Sequence, residues 1–170
     1  LVNAWHHTYG LPTLVTNCSN NYGPWQYPEK LIPVVILKAL NGENIPLYGD
    51  GSNIRDWLYV EDHVNAITLV CSEAIPGSNY CIGGNSEKTN KEIVTKICEI
   101  LDIYRPKPKS YKEQITLVKD RPGHDFRYGI DFSLINKELG WEPKTSFDIG
   151  IDLTVKWYLN NINWCKKVFQ

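Results

Sequence analysis

A short apolar run, Leu14-Val15-Thr16, passes directly into a polar, turn-prone segment, Asn17–Tyr27, and then into a helix-patterned stretch at 28–41. This strand–loop–helix succession constrains the fold more than any other part of the chain. Leu31, Ile32, Val35, Ile36, Ala39 and Leu40 recur at helical spacing, so they form one apolar stripe, and Gly42 closes the helix. Glu29 is then expected in the first turn, where a carboxylate suits the positive end of the helix dipole. A buried strand feeding an amphipathic helix through a loop belongs to an α/β arrangement. In open α/β sheets that junction is where ligands bind. Here it carries the amides Asn20 and Asn21, a Tyr22-Gly23-Pro24 turn and Lys30.

The remaining pattern mixes short strands and helices. Strands are expected near 13–18, 45–48, 54–60, 79–83, 114–118 and 127–131. After a helix end at 1–9, further helices are expected at 61–74, with Val64, Ile67, Val70 and Cys71 inward, at 90–102, at 133–139 capped by Ser133, and at 147–163, burying Ile151, Val155, Tyr158 and Ile162. Thr89 and Glu92 have the spacing of a capping box for the helix at 90–102. The fold class is α/β, read as a smaller lobe added to part of a larger sheet. The chain has no G-x-G-x-x-G turn, contains no Met, and opens inside a helix-like segment. It is therefore expected to be the second half of a longer enzyme, with residues 1–27 the tail of a nucleotide-binding half and 28–170 mainly a ligand-binding lobe.

Composition narrows the ligand. A net charge of −1 lacks the basic footprint of a nucleic-acid binder, and no apolar stretch reaches membrane-spanning length. Five cysteines, odd in number and without a C-x-x-C pair, point away from a disulfide framework or a metal site and toward a reducing, cytoplasmic setting. Cys71 and Cys98 are expected in the core. Of only four arginines, Arg55, Arg121 and Arg127 stand in or beside loop-like motifs. Arginine suits bidentate recognition of phosphate oxygens, so an anionic small ligand is favoured. Arg55 lies within an apolar, aromatic strand, where it needs a partner: either a bound diphosphate, or Asp56 or Asp62.

Four segments together resemble the extended short-chain dehydrogenase/reductase family, and within it the dTDP-glucose 4,6-dehydratases. They are Asn17–Pro33, the run from Ile54-Arg55-Asp56-Trp57 to His63, Gly83-Gly84-Asn85, and Asp120-Arg121-Pro122-Gly123-His124-Asp125. Asn136–Pro143 resembles the tail common to nucleotide-sugar epimerases and dehydratases. The resemblance implies a Rossmann domain binding NAD and a C-terminal lobe holding a dTDP-sugar, in a homodimeric parent enzyme. The implied reaction oxidises the sugar at C4 by hydride transfer to NAD, eliminates the C6 hydroxyl through an acidic pair, and returns the hydride to C6. The Y-x-x-x-K motif is absent and nothing matches the acidic pair. No catalytic residue is therefore expected here, and the chain alone is expected to be inactive.

The resemblance also implies roles for individual residues. Asn20 would contact substrate and Asn21 the nicotinamide end of NAD, although both could simply hold a tight loop. Glu29, Lys30 and Leu31 would meet the substrate at the helix start, or Glu29 would serve only the dipole. Ile45, Pro46, Leu47 and Tyr48 would flank the base, or form an ordinary edge strand. Arg55 would pair with the diphosphate, and Asp120, Arg121, Pro122, Gly123 and His124 would all be substrate-binding, with Arg121 on phosphate and His124 near the nucleotide or phosphates. Asn90 would be a further substrate contact unless it serves local hydrogen bonding. A UDP- or GDP-sugar epimerase, dehydratase or decarboxylase, or a stand-alone nucleotide-binding module, would share much of this pattern.

Overall fold

The computed structural model describes residues 1–168; positions 169 and 170 of the expected lobe lie outside the described residues. The first half runs α1 (Val2–Tyr9), β1 (Val15–Cys18), β2 (Asn20–Tyr22), α2 (Leu31–Leu40), β3 (Ile45–Tyr48), β4 (Ile54–Tyr59) and α3 (Val60–Glu73). The second runs β5 (Asn79–Ile82), β6 (Glu87–Thr89), α4 (Asn90–Tyr104), a 3-10 turn (Tyr111–Gln114), β7 (Ile115–Val118), β8 (Arg127–Tyr128), α5 (Ser133–Leu139), α6 (Phe147–Asn160) and α7 (Ile162–Val168). This is the α/β architecture the sequence implies.

The strands pair in three groups, mostly in parallel. β1 lies along β5, with Val15 opposite Asn79, and β3 along β7, with Ile45 opposite Ile115. β4 is the hub of the third group. It runs parallel to β2, with Asn20 opposite Trp57, antiparallel to β6, and parallel to β8. Its residues alternate between two cores. Trp57 and Tyr59 join the larger core, which Ile32 and Ile36 of α2, Ile93, Ile97 and Leu101 of α4, and Ile151, Val155 and Tyr158 of α6 fill. Leu58 points the other way, into a smaller core with Ala66 and Val70 of α3, Tyr80, Ile82, Ile135 and Trp141. A strand buried on both faces must read as a nearly continuous apolar run, as 57–59 does; the strand expected to 60 ends at Tyr59, and Val60 opens α3.

Several local expectations change. α2 begins at Leu31, not 28, so Glu29 stands outside the helix and pairs instead with Lys30 at 2.8 Å. Pro33 is tolerated because the N–H it lacks would have no intrahelical acceptor in the first turn. In α3 the buried residues are Asp62, Ala66 and Val70, whereas Val64 and Ile67 are exposed, as is Cys71. Asp62 faces inward because its carboxylate accepts the Thr145 backbone N–H at 2.8 Å. Small Ala66 lets the helix sit close to the sheet. Cys98 is buried as expected.

The helix expected over 147–163 breaks at Asn161, whose side chain donates to the Trp157 carbonyl at 2.8 Å, and Ile162 starts α7 only half-buried. Ser133 is the first residue of α5 rather than its cap, and its N–H is met by Asp131 at 2.8 Å. The strand expected at 127–131 is only the two residues of β8. β1 is half-buried to exposed rather than buried. The polar stretch of β6 becomes a strand because β4 offers it a ladder. The capping box of α4 forms as read, with Glu92 N–H donating to Thr89 Oγ1 at 3.1 Å and Thr89 N–H to Glu92 at 2.7 Å.

Burial holds the His63 imidazole below its ordinary 6.5, and its Nε2 is buried without a hydrogen-bond partner. The unfolded chain therefore takes up this proton at a higher pH than the folded one. Stability is full above the unfolded value and falls as pH drops below it toward the folded value. The melting temperature should decline on going from about pH 7.5 to about pH 5.5, and His63→Asn should flatten that decline. Equal slopes for the two proteins, measured by circular dichroism melts, would exclude His63 as the source.

Candidate functional site

The C-terminal end of β3, the middle of β4, the start of α2, the start of α4 and the 119–125 loop converge on one cleft of about 500 Å³. Asn20, Glu29, Lys30, Leu31, Pro46, Tyr48, Arg55, Asn90, Arg121 and His124 all line it. Segments more than 100 positions apart in sequence are thus brought together. Val34, Val35, Lys38 and Trp57 also line the cleft. The sequence offered no separate signal for the first three, because helix positions facing a core and a cleft look alike. Trp57 reads as a packing residue, which it is, but it also lines the cleft.

The other expected positions fall elsewhere. Ile45 and Leu47 alternate into the larger core, so the side chains β3 presents to the cleft are Pro46 and Tyr48. Asn21 lies on a neighbouring hollow with Tyr22, Gly23, Pro24, Trp25, Gln26 and Val60. Its Nδ2 donates to the Ser19 carbonyl at 3.0 Å, while its Oδ1 and the Oε1 of Gln26 are buried unpaired. Trp25 packs against Trp157 and Trp164, at ring separations of 4.9 and 5.3 Å, and does not line the cleft. Asp120, Pro122 and Gly123 shape the loop behind the lining residues.

Asp120 organises that loop. Its Oδ1 accepts from the Arg121 backbone N–H at 2.8 Å and from His124 Nδ1 at 2.7 Å. The hydrogen bond from His124 holds the Asp120 carboxyl below the usual carboxylate range. The same bond fixes which imidazole nitrogen carries the proton, leaving Nε2 of the nearly buried His124 as the second polar atom. Arg121 lies over the Tyr48 ring, its guanidinium carbon 5.6 Å from the centroid.

Arg55 does not pair with either candidate aspartate. Both Asp56 oxygens are taken by backbone N–H groups, Gly84 and Ser86, each at 2.7 Å, and Asp62 binds the Thr145 N–H. Arg55 instead donates to the carbonyls of Ile54 at 2.6 Å and Asp125 at 2.9 Å. Lys30 and Lys38 are balanced by Glu29 and Glu43. Among the described residues, neither Arg55 nor Arg121 has a carboxylate within ion-pair distance. Two guanidinium groups that make no ion pair line one cleft, beside the uncapped N-terminus of α2. Backbone N–H groups and arginine forks both favour a phosphate-bearing ligand.

The loop is latched to the strand. Asp125 presents its carbonyl to Arg55 and, at 3.3 Å, to the side chain of buried Asn53, whose own carbonyl accepts the Asn90 N–H at 3.0 Å. One residue thus ties the 119–125 loop through its side chain and the start of α4 through its backbone carbonyl. The motif that precedes Arg55 did not mark Asn53, because a turn asparagine has many local uses. Asn53→Ala should lower stability by about 1 kcal/mol and make the loop more sensitive to limited proteolysis. An unchanged melt and cleavage pattern would show that Arg55 alone holds the loop.

Residues 1–154 match the family model described as GDP-mannose 4,6 dehydratase. The chain is 60% identical over 168 residues to the dTDP-glucose 4,6-dehydratase of Shigella flexneri, an alignment covering 99% of this chain and 46% of that protein. The structure of the Streptomyces venezuelae dTDP-glucose 4,6-dehydratase, solved with NAD and TYD bound, superposes with a TM-score of 0.91 at 41% identity, over 98% of this chain and 50% of that one. The Bacillus anthracis dTDP-glucose 4,6-dehydratase, solved in complex with NAD, gives a TM-score of 0.89 at 48% identity, over 98% and 51%. The chain thus spans about half the length of the relatives it matches.

Proposed function

The chain belongs to the GDP-mannose 4,6 dehydratase family, and from that premise we propose that it is the nucleotide-sugar-binding portion of a dTDP-glucose 4,6-dehydratase. The parent reaction converts dTDP-glucose to dTDP-4-keto-6-deoxyglucose and water. The observation that carries this reading is the pair of guanidinium groups that make no ion pair, Arg55 and Arg121, in one cleft with an aromatic ring at its end. A nucleoside diphosphate supplies what each lacks: two phosphates for the cations and a flat base for Tyr48 and Pro46.

In this reading the base lies along Tyr48 and Pro46. The diphosphate lies between Arg55 and Arg121, with His124, Lys30 and the α2 N-terminus nearby, and the hexose extends toward Asn20. Glu29, Leu31 and Asn90 complete the walls. Residues 1–27 belong to the tail of the nucleotide-binding half of the parent and 28–170 mainly to the sugar lobe. The catalytic tyrosine, lysine and acidic pair lie outside this chain, which by itself turns over no dTDP-glucose. A homodimeric, cytoplasmic parent is part of the same proposal; among the described residues no helix is long and apolar enough to cross a membrane.

NAD, when bound in the parent, supplies the hydride acceptor and donor. The residues present fit one end of it: the unpaired Asn21 Oδ1 and Gln26 Oε1 are acceptors suited to an amide donor such as a nicotinamide carboxamide. Asn21 stands on β2 beside Asn20, so the cofactor hollow and the sugar cleft share one short strand.

Titration of the chain with dTDP, followed by tryptophan fluorescence, should show saturable binding that is stronger than for UDP. Preference for UDP would move the assignment to an epimerase-like specificity. Absence of any response from a chain that melts cooperatively would overturn the nucleotide reading. Arg55→Ala should weaken dTDP binding by about 2–4 kcal/mol, as for a charge pair losing one partner. Calorimetry giving wild-type affinity would remove Arg55 from the site.

A further inference from the structure

Among the residues lining the cleft, Trp57 alone, within the described residues, carries a buried side-chain nitrogen or oxygen with no hydrogen-bond partner. Its side chain sits in the larger core and the residue is 5% exposed, yet its Nε1–H meets no acceptor in the protein. Indole is a donor only, and a buried donor left unpaired carries its full desolvation penalty. A phenylalanine would pack against Tyr22 without that penalty. The Tyr22 ring, 6.1 Å away and edge-on, offers at most a weak N–H···π contact.

The position of Trp57 along the cleft indicates what would meet the donor. Residues two apart on a strand face the same side, about 7 Å from each other, so Trp57 follows Arg55 on the floor of the cleft. Across the ladder its register partner is Asn20, also in the cleft. The base end lies the other way, where Arg121 covers Tyr48 and the 119–125 loop is tied to Arg55. From the base end the order is therefore Tyr48, Arg121 and Arg55, Trp57, Asn20.

We propose that Trp57 contacts the substrate's hexose, its indole N–H donating to a sugar oxygen just beyond the diphosphate. The proposal rests on reading the cleft as a nucleotide-sugar site. It makes Trp57 a residue that distinguishes a nucleotide sugar from a bare nucleotide.

The test compares dTDP-glucose with dTDP by calorimetry, on the wild-type chain and on Trp57→Phe, which keeps an aromatic ring against Tyr22. Trp57→Phe should bind dTDP within about twofold of wild type and dTDP-glucose about five- to tenfold more weakly, the loss of one net hydrogen bond. Unchanged affinity for both ligands overturns the contact. An equal loss for both overturns its assignment to the hexose. Failure of the wild-type chain to bind either ligand overturns the reading of the cleft, and this proposal with it. If the variant does not fold, the assigned ¹H–¹⁵N indole resonance of Trp57 in the wild-type chain decides. It should move on adding dTDP-glucose and stay in place with dTDP; the same response to both ligands overturns the proposal.

Discussion

Burial of β4 on both faces is the constraint on which the rest of this structure depends. Trp57 and Tyr59 are held by the helices of the larger core, and Leu58 by the smaller one. The strand cannot translate or rotate without opening one of them. Three other strands take their register from it. Gly84 approaches so closely that a Cβ there would run into the Trp57 carbonyl oxygen, and Asp56 clamps the 84–86 backbone from the adjacent position. A strand fixed this firmly can carry a cation and a donor into a cleft with little freedom to turn away, which lowers the ordering cost of binding.

The electrostatics of the cleft follow from where carboxylates are used up. Asp56 and Asp62, the two candidate partners of Arg55, are both engaged by backbone N–H groups. Asp120 is engaged by His124 and by the Arg121 N–H. These three acids shape the backbone and make no ion pair with either guanidinium. The positive charge is left for a ligand, and the loop that delivers half of it is already latched through Asn53 and Arg55.

Much of this was legible in the sequence where a local pattern had one physical meaning. The capping box at Thr89 and Glu92, the apolar stripe of α2 and the strand character of 54–59 all appear as read. Reading failed where tertiary partners outweighed local pattern. Val64 and Ile67 look like an inward face, but the sheet accepts Ala66 and the Asp62 carboxylate instead. Glu87-Lys88-Thr89 has no strand signal, and becomes a strand only because β4 has a free edge there. Within the candidate site, charged and turn residues stood out, whereas Trp57 and Asn53 were hidden. A buried aromatic and a turn asparagine announce packing and local bonding, and their second use is visible only once the cleft has closed around them.

The parallel register of β2 on β4 places Asn20 opposite Trp57 and Asn21 opposite Leu58. The two asparagines are chemically identical neighbours, yet one lines the large cleft and the other a separate hollow. Nothing in the side chains distinguishes them; the parity of the pleat does. Lengthening or shortening the chain by one residue before Asn20 would exchange the compartments the two amides serve while leaving the inventory of functional groups intact. In this part of the molecule, identity is therefore written in position rather than in chemistry, and a deletion that removes no functional side chain could do more damage than a substitution that does.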